Sequence, residues 1–292
     1  DHPGTGDFAE IRKRIDEFRE TRPGKLPFVN LLPDTAPPSD MGTDNYGSYV
    51  ERFIEAVQPE VLCFDHYPTF APEADERDGY CRNLATIRSY ALRQGVPFWC
   101  FVKAMAYNSD AVPTEAQMRW QVYAAVAHGA RGILYSCYFT PPAGNGFRGT
   151  GMIAPDGKPT ERYTQVKQIN AELKHLGSRL MKSTSTGVWR VGQGQSSEGV
   201  PVKLTTAEDD SDFLIAAFDR EEGGLAVLVM NYHDSGPGAT ATMAFPVPSE
   251  KVMEVSKETG KAEYVVDEKK DLDGLQFTFA PGDGRLFVIN RQ

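Results

Sequence analysis

The chain has 292 residues, of which 40% are apolar and 24% charged, as is typical of a globular protein with one large or two medium-sized domains. The formal net charge is −9 and no segment is rich in lysine and arginine, so we expect no nucleic-acid partner. No apolar run is long enough to cross a bilayer, so we expect no membrane partner either. No segment at the start combines basic residues with an apolar run, and the sequence shows no secretion signal.

Four apolar segments in the first part of the chain predict β-strands. They begin roughly 35 residues apart, which is the length of one strand plus one helix in a repeating βα unit. Each is followed by apolar residues at steps of three and four, the pattern of an amphipathic helix. Because all four strands are apolar on both faces, we expect a parallel sheet of the (β/α) barrel type. The predicted strands are Leu26–Leu32, Val61–Tyr67, Pro97–Lys103 and Gly132–Phe139.

Two sets of residues mark the ends of the predicted helices. Gly95 follows a helical pattern near Tyr80–Gln94 and is suited to the left-handed residue that closes a helix. Thr114 and Gln117 have the spacing of a capping box, which predicts that the next helix begins after Thr114.

After Thr184 the helical patterns stop, and short apolar runs alternate with glycine-rich turns. This pattern of short strands and turns predicts an antiparallel β-sandwich. We therefore expect two domains, a partial (β/α) barrel over residues 1–184 and a sandwich over residues 185–292. The predicted sandwich strands are Gly187–Val191, Val200–Thr205, Phe213–Phe218, Leu225–Tyr232, Ala239–Pro246, Lys251–Ser256, Leu275–Phe279 and Leu286–Ile289.

Four βα units are half of the eight that close a barrel. Three hypotheses account for the other half. The chain is a fragment of a longer enzyme, or a second copy covers the open face in a homodimer, or the sandwich or the 140–160 loop folds across that face. Exposed sheet edges and apolar faces promote aggregation. In each of the three hypotheses another part of the protein, or a second copy, covers them.

Several stretches of the sequence resemble the clan-A glycoside hydrolases of the β-galactosidase and endoglucanase types. They match the later half of the barrel and the sandwich that follows it. The resemblance implies a carbohydrate partner, action on a polysaccharide or oligosaccharide, no cofactor, and an extracellular or periplasmic location. The matching stretches are FVNLLP (28–33), VLCFDHYP (61–68), VPFWCFV (96–102), TEAQMRWQVYAAVAHGARGILYSCY (114–138), DGKPTERY (156–163), TGKAEYV (259–265) and APGDGRLFVI (280–289).

The same resemblance implies two catalytic glutamates, and this chain departs from the pattern at both. The acid/base glutamate of the clan follows the fourth strand in an Asn-Glu-Pro or Asp-Glu-Pro motif, and here Asp1-His2-Pro3 places His2 at that position. The nucleophile ends the seventh strand, which here ends at Lys103 without a carboxylate. Two functions remain open: a glycoside hydrolase with other catalytic groups, or a pseudoenzyme that binds sugar or assembles without catalysis.

Polar residues at the ends of the predicted strands are the candidate site. Glycoside hydrolysis uses two carboxyl groups across the scissile bond, and barrel enzymes carry their active sites at the C-terminal ends of the strands. Asn30, Asp65, Lys103 and Tyr138 occupy such positions. Asp65 is a candidate general base or a ligand for a sugar hydroxyl. Alternatively, it is a structural residue that caps the next loop or pairs with Lys103.

Three further residues are candidate proton donors or acceptors. His66 suits a proton shuttle because histidine ordinarily titrates near neutral pH, although strand alternation points it away from Asp65. His2 is a candidate proton donor in place of the glutamate of the clan, with terminal disorder as the alternative. Glu115 opens a helix, where an acidic residue also interacts favourably with the helix dipole.

Aromatic residues near the strand ends are candidate platforms on which a sugar stacks. The alternative for each is core packing, and the candidates are Tyr67, Phe70, Trp99, Tyr107, Tyr138 and Phe139. We expect no metal site. Asp209–Asp212 lacks the spacing of a calcium loop, and the four cysteines show no CxxC motif. The cysteines are expected to be buried free thiols.

Overall fold

A computed structural model of the chain describes residues 2–108, 110–142, 144, 146–192, 198–206, 211–269 and 272–290. The helices are α1 (Phe8–Thr21), α2 (Pro38–Met41), α3 (Tyr46–Val57), α4 (Arg77–Gln94), α5 (Glu115–Ala127) and α6 (Glu161–Leu180). The strands are β1 (Asn30–Leu31), β2 (Leu62–Asp65), β3 (Phe98–Lys103), β4 (Ala106–Tyr107), β5 (Gly132–Ser136), β6 (Phe147–Arg148), β7 (Ser183–Gly192), β8 (Lys203–Thr206), β9 (Asp212–Arg220), β10 (Leu225–Asn231), β11 (Ala239–Ala244), β12 (Val252–Val255), β13 (Ala262–Tyr264), β14 (Leu275–Phe279) and β15 (Gly284–Ile289).

The chain forms two compact units. The first comprises Asp1–Lys103 and Ala130–Ser136, and the second comprises Ala104–Gly129 and Cys137–Gln292.

A four-stranded parallel sheet organises the first unit. Its strand order is β1-β2-β3-β5, and every neighbouring pair runs in parallel, so the predicted partial barrel with strands in sequential order is confirmed. The strands are shorter than the apolar runs that predicted them. The predicted strand at Leu26–Leu32, for example, pairs only at Asn30 and Leu31.

The strand register fixes which side chains share a face of this sheet. Asn30 pairs with Cys63, which pairs with Trp99, while Asp65 pairs with Phe101. Because side chains alternate along a strand, Asn30, Asp65, Trp99 and Lys103 all lie on one face. The other face holds Phe64 and Cys100, and the Tyr80 hydroxyl of α4 lies 3.9 Å from the Cys100 sulfur there.

The helices of the first unit pack through the apolar stripes that predicted them. In α3, Tyr49, Val50 and Phe53 are fully or almost fully buried. The ring of Phe8 in α1 lies 5.4 Å from that of Phe53, which joins the two helices. Helix α4 ends at Gly95 in the left-handed conformation, with φ of 66°, as predicted.

Two antiparallel sheets in the second unit confirm the predicted sandwich. The larger has the order β13-β12-β15-β10-β9-β7 and the smaller β14-β11-β8. Their inner faces supply one apolar core that includes Phe213, Val227, Met243, Phe277 and Phe287. Gly223 and Gly224 form the turn that joins β9 to β10, with φ of 85° and 90°.

Helices α5 and α6 belong to the second compact unit, so the contacts do not divide the chain at the predicted boundary of 184/185. The capping box of Thr114 and Gln117 opens α5 as predicted. The Trp120 indole then donates to the Tyr232 carbonyl at 2.8 Å, which ties the helix to the end of β10. As a division into domains, the 184/185 boundary stays a prediction.

All four cysteines are free thiols. Cys63 and Cys100 are buried, whereas Cys81 and Cys137 are only partly buried. Within the described ranges, none of the helices is both long and apolar enough to cross a membrane.

Candidate functional site

Three of the predicted site residues lie together, at the start of the two-residue strand β1 and at the C-terminal end of β2. His2 Nε2 lies 2.8 Å from Asp65 Oδ1 and 3.1 Å from Asn30 Nδ2. We assign the Nε2 proton to the Asp65 bond because a carboxylate is the stronger acceptor and this contact is the shorter of the two. The histidine therefore donates to the carboxylate, and its protonated Nε2 cannot also accept from the Asn30 amide nitrogen.

The backbone holds His2 in this position. Its N–H donates to the Asn30 carbonyl at 2.9 Å, and its φ of 54° lies in the left-handed region that few non-glycine residues adopt. The next residue is fixed as well, since the Tyr49 hydroxyl donates to the Pro3 carbonyl at 2.7 Å. Burial raises the pKa of the Tyr49 phenol to about 12, so it remains a donor at neutral pH.

Burial differs within this group. The Asp65 side chain is 8% exposed, whereas that of His2 is 41% exposed. Asn30 and Lys103, on the same face of the sheet, are both buried. The His2 side chain is thus accessible from solvent, whereas the Asp65 carboxylate next to it is almost fully buried.

His66 lies in a second polar cluster with Asp34, Tyr46 and Asn83. Its Nδ1 is 3.1 Å from Asn83 Oδ1 and 3.3 Å from Asp34 Oδ1, and its ring meets Tyr80 edge-on. The Tyr46 hydroxyl and Asn83 Nδ2 are buried without a partner of hydrogen-bonding geometry among the described residues. Burial raises the pKa of the Tyr46 phenol well above its ordinary value, an interaction with the Asn83 side chain opposes that rise, and the nearby Tyr49, Asp34 and Asp65 add to it.

Sequence reasoning missed Asp34, Tyr46 and Asn83. One signal was present for Asn83, which shares the buried stripe of α4 with Tyr80, Leu84 and Ile87 at helical spacing. A polar residue on such a stripe requires a buried partner.

Trp99 is the second residue of β3, so it lies near the N-terminal end of that strand and not at the C-terminal end as predicted, although it shares the face of the sheet that carries Asp65. The centroids of its indole and of the Phe28 ring are 5.5 Å apart. Gly132 on β5 leaves room for the indole, because a Cβ at that position would come 2.4 Å from Trp99 Cδ1. The indole is partly buried and Phe28 is 43% exposed, so this aromatic pair offers a surface on which a sugar ring can stack. Tyr67, just after β2, is also partly buried.

Glu115 and Tyr138, two further candidates, lie in the second unit. The Glu115 carboxylate accepts from Arg119 Nε at 3.1 Å, one turn along α5. Tyr138 follows β5 and is 60% exposed. Neither is part of the group around Asp65 within the first unit.

No group of three or more His, Cys, Asp or Glu side chains is arranged to hold a metal ion in the part of the chain that the structure describes. Residues 209 and 210 of the acidic turn lie outside the described residues.

Comparison with known families gives one match. The family model for β-galactosidases of glycoside hydrolase family 42 matches residues 12–176, which is more than half of the chain. A comparison with curated protein sequences gives no match.

Among solved structures, the chain resembles a β-galactosidase from Bacillus circulans sp. alkalophilus, with a TM-score of 0.60 and 10% identity over 97% of this chain and 66% of the other. A catalytic mutant of Gan42B, a GH42 β-galactosidase from G. stearothermophilus, gives a TM-score of 0.53 and 7% identity over 96% of this chain and 66% of the other. The β-galactosidase of the psychrophilic Marinomonas ef1 is 18% identical over 59% of this chain and 27% of the other, with a TM-score of 0.42. The chain thus spans between about a quarter and two thirds of the length of these proteins.

Proposed function

This chain belongs to the β-galactosidase family of glycoside hydrolase family 42, and from that premise we propose that it binds a galactoside along the face of β1, β2 and β3 that carries Asp65. The observation that carries the proposal is the His2–Asp65 pair beside Asn30, a buried carboxylate with an accessible donor in front of it. Sugar hydroxyls both donate and accept hydrogen bonds, so adjacent acceptor and donor groups suit them. Trp99 and Phe28 supply a stacking surface on the same face.

The second polar cluster supports the same ligand class. A buried polar atom without a partner costs about 1–3 kcal/mol, and a water molecule or a ligand hydroxyl relieves that cost. The Tyr46 hydroxyl and Asn83 Nδ2 interact with each other but make no hydrogen bond of full geometry, and their neighbour Asp34 lies three residues after β1. We infer that a polyhydroxyl ligand or ordered water occupies this cluster.

We further propose that the chain is a pseudoenzyme with respect to retaining hydrolysis. Retention requires a nucleophilic carboxylate and an acid/base carboxylate about 5 Å apart. The two positions at which the resemblance implies these groups carry His2 and Lys103. The Lys103 side chain is buried, and an ammonium cannot form the glycosyl ester that a carboxylate forms.

One observation favours a second function. The 2.8 Å contact between His2 and Asp65 is an acid–base pair, in which Asp65 could orient a histidine that protonates a leaving group. Under this alternative the chain would cleave aryl β-galactosides at rates typical of enzymes, roughly 1–1000 per second. Under the binding proposal it would not, and a chromogenic aryl β-galactoside assay separates the two.

Titration calorimetry with β-1,4-galactobiose tests binding. We expect Asp65→Asn and Trp99→Ala each to weaken binding by about 1–3 kcal/mol, because one loses a charged hydrogen-bond acceptor and the other a stacking face. Asp156→Asn, an exposed residue in the second unit, is the control and should bind as the wild type does. Equal affinity for wild type, Asp65→Asn and Trp99→Ala would remove these residues from the site.

We also propose that the chain pairs as a homodimer through the sheet of the first unit. Strands β1 and β5 are the outer strands of that sheet, and all five residues of β5 are only partly buried. Leu26 nearby is 42% exposed. A two-fold partner that pairs with these edges would cover them.

A further inference from the structure

An open groove with a volume of about 560 Å³ lies on the surface of the sandwich in the second unit. It is bordered by β13 and β14, which are the outer strands of the larger and smaller sheets respectively. Its volume is in the range of ordinary small-molecule sites, about 300–1,000 Å³. None of its lining residues belongs to the strand-end group around Asp65.

An exposed aromatic residue lies at the rim of this groove. Tyr264 is the last residue of β13 and is 66% exposed. Aromatic side chains that remain in water on a folded domain are frequent in binding sites, where the apolar ring meets a ligand face and the hydroxyl stays solvated. The C–H faces of sugar rings are suitable partners for such a ring.

A rigid pair of planar polar groups lies in the same groove. Arg285 donates from Nε and Nη2 to the two oxygens of Glu254, both at 2.7 Å. Its guanidinium lies 4.7 Å from the centre of the Phe277 ring, which fixes its plane. Donors and acceptors that are held in place before binding lose little conformational entropy when they meet vicinal hydroxyls.

The charge of the lining narrows the ligand class. Glu254, Glu263, Asp267 and Glu268 carry four negative charges, against the two positive charges of Lys269 and Arg285. Phosphorylated, sulfated and acidic polymers would be repelled. A neutral ligand with many hydroxyl groups suits the groove.

From the aromatic rim, the fixed Arg285–Glu254 pair and this charge, we propose that the groove is a second carbohydrate site that takes a neutral oligosaccharide. The inference does not rest on the function proposed for the strand-end site.

Backbone amide NMR of the full chain, titrated with β-1,4-galactotetraose and separately with cellotetraose, tests the proposal. We expect at least one of these probes to shift the amide signals of residues 252–256, 262–269 and 275–279. Tyr264→Ala should weaken that titration roughly threefold to tenfold through loss of stacking, and Tyr264→Phe should retain it. Met181→Ala, a residue 57% exposed in the same unit, is the matched control and should leave it unchanged.

The Asp65→Asn variant distinguishes this proposal from the strand-end function proposed above. It should weaken binding at the strand-end site but leave the shifts of the groove amides unchanged. If neither sugar shifts these amides, the proposal is wrong. It is also wrong if the shifts survive Tyr264→Ala unchanged, or if only an extended peptide that pairs with the free edge of β13 produces them.

Discussion

A buried carboxylate, Asp65, and a partly buried one, Glu172, have different surroundings and therefore different roles. Asp65 meets a partly exposed histidine at the end of a strand. Glu172 on α6 is instead surrounded by fixed donors: Arg119 contributes two hydrogen bonds of 2.7 and 2.8 Å and Tyr123 one of 3.0 Å, while the Lys257 ammonium lies 3.9 Å away. Glu172 is thus a structural group that ties α5 and α6 to the β12–β13 turn.

The Glu172 cluster predicts a stability that depends on pH. Burial alone would raise the pKa of Glu172, but the hydrogen bonds and charge of Arg119 outweigh it, and the pKa lies below the ordinary value. A lowered folded-state pKa gives stabilisation that is complete above the ordinary glutamate range and is lost as the pH falls through the lowered value. We expect Glu172→Gln to reduce the free energy of unfolding by about 1–3 kcal/mol at neutral pH.

Urea denaturation at neutral and acidic pH checks this prediction. The difference between wild type and Glu172→Gln should shrink as the solution is acidified, because the wild type loses the same charge. Glu250→Gln, an exposed residue of the second unit, should show no difference at either pH. A constant difference at all pH values would mean that Glu172 does not act through its charge.

At the residue scale, the sequence predicted a polar group at the strand ends but not its pairing. Asp65 was identified because it ends an apolar strand in a barrel-like repeat. Its contact with His2 joins residues 63 positions apart, and the left-handed backbone of His2 has no sequence signature. The Asp34–His66–Asn83 cluster depends on similar long-range placement.

At the element scale, the position of Trp99 depends on a glycine in the neighbouring strand. Gly132 opens β5 and pairs with Trp99, and a Cβ at Gly132 would lie 2.4–2.7 Å from three indole atoms. Gly132→Ala must therefore displace the indole and disturb its contact with Phe28. We expect a changed near-UV circular dichroism spectrum and galactobiose binding weakened about as much as by Trp99→Ala, ~1–3 kcal/mol.

Gly177→Ala in α6 is the matched control for this substitution. It adds the same methyl group where no atom lies within 4 Å, and alanine should stabilise the helix by up to about 1 kcal/mol. An unchanged spectrum and unchanged binding in Gly132→Ala would show that Trp99 has room to move and that its position does not matter for the ligand.

Elements that lie within a longer apolar run were predictable from the sequence, including the two-residue β1, whereas short elements outside such runs were not. The four parallel strands and the eight sandwich strands all appear near their predicted positions, because each carries an apolar pattern of its own. Strands β4, β6 and β13 were missed, since two or three residues show no alternation and pair through contacts with distant segments. The missed β13 forms one border of the groove in the sandwich, so that site had no sequence signal.

At the scale of the whole molecule, the open sheet predicts the oligomeric state. If a second copy covers β1 and β5, the interface should bury well over ~1,600 Å² of total surface and be mostly apolar. Light scattering at micromolar concentration should then give twice the mass of 32.3 kDa. Ile133→Asp, on outer strand β5, should convert the dimer into a monomer. A wild-type mass of one chain would reject the dimer.

The most direct test of the binding account is a crystal structure of the chain soaked with β-1,4-galactobiose. The account predicts an intact disaccharide along the face of β1, β2 and β3 that carries Asp65, with a hydroxyl in hydrogen-bonding distance of the Asp65 carboxylate at the end of β2 and a ring against Trp99 near the start of β3. A cleaved sugar or a covalent glycosyl adduct would contradict the pseudoenzyme proposal. An empty strand-end site in a crystal that binds the sugar elsewhere would contradict the site itself.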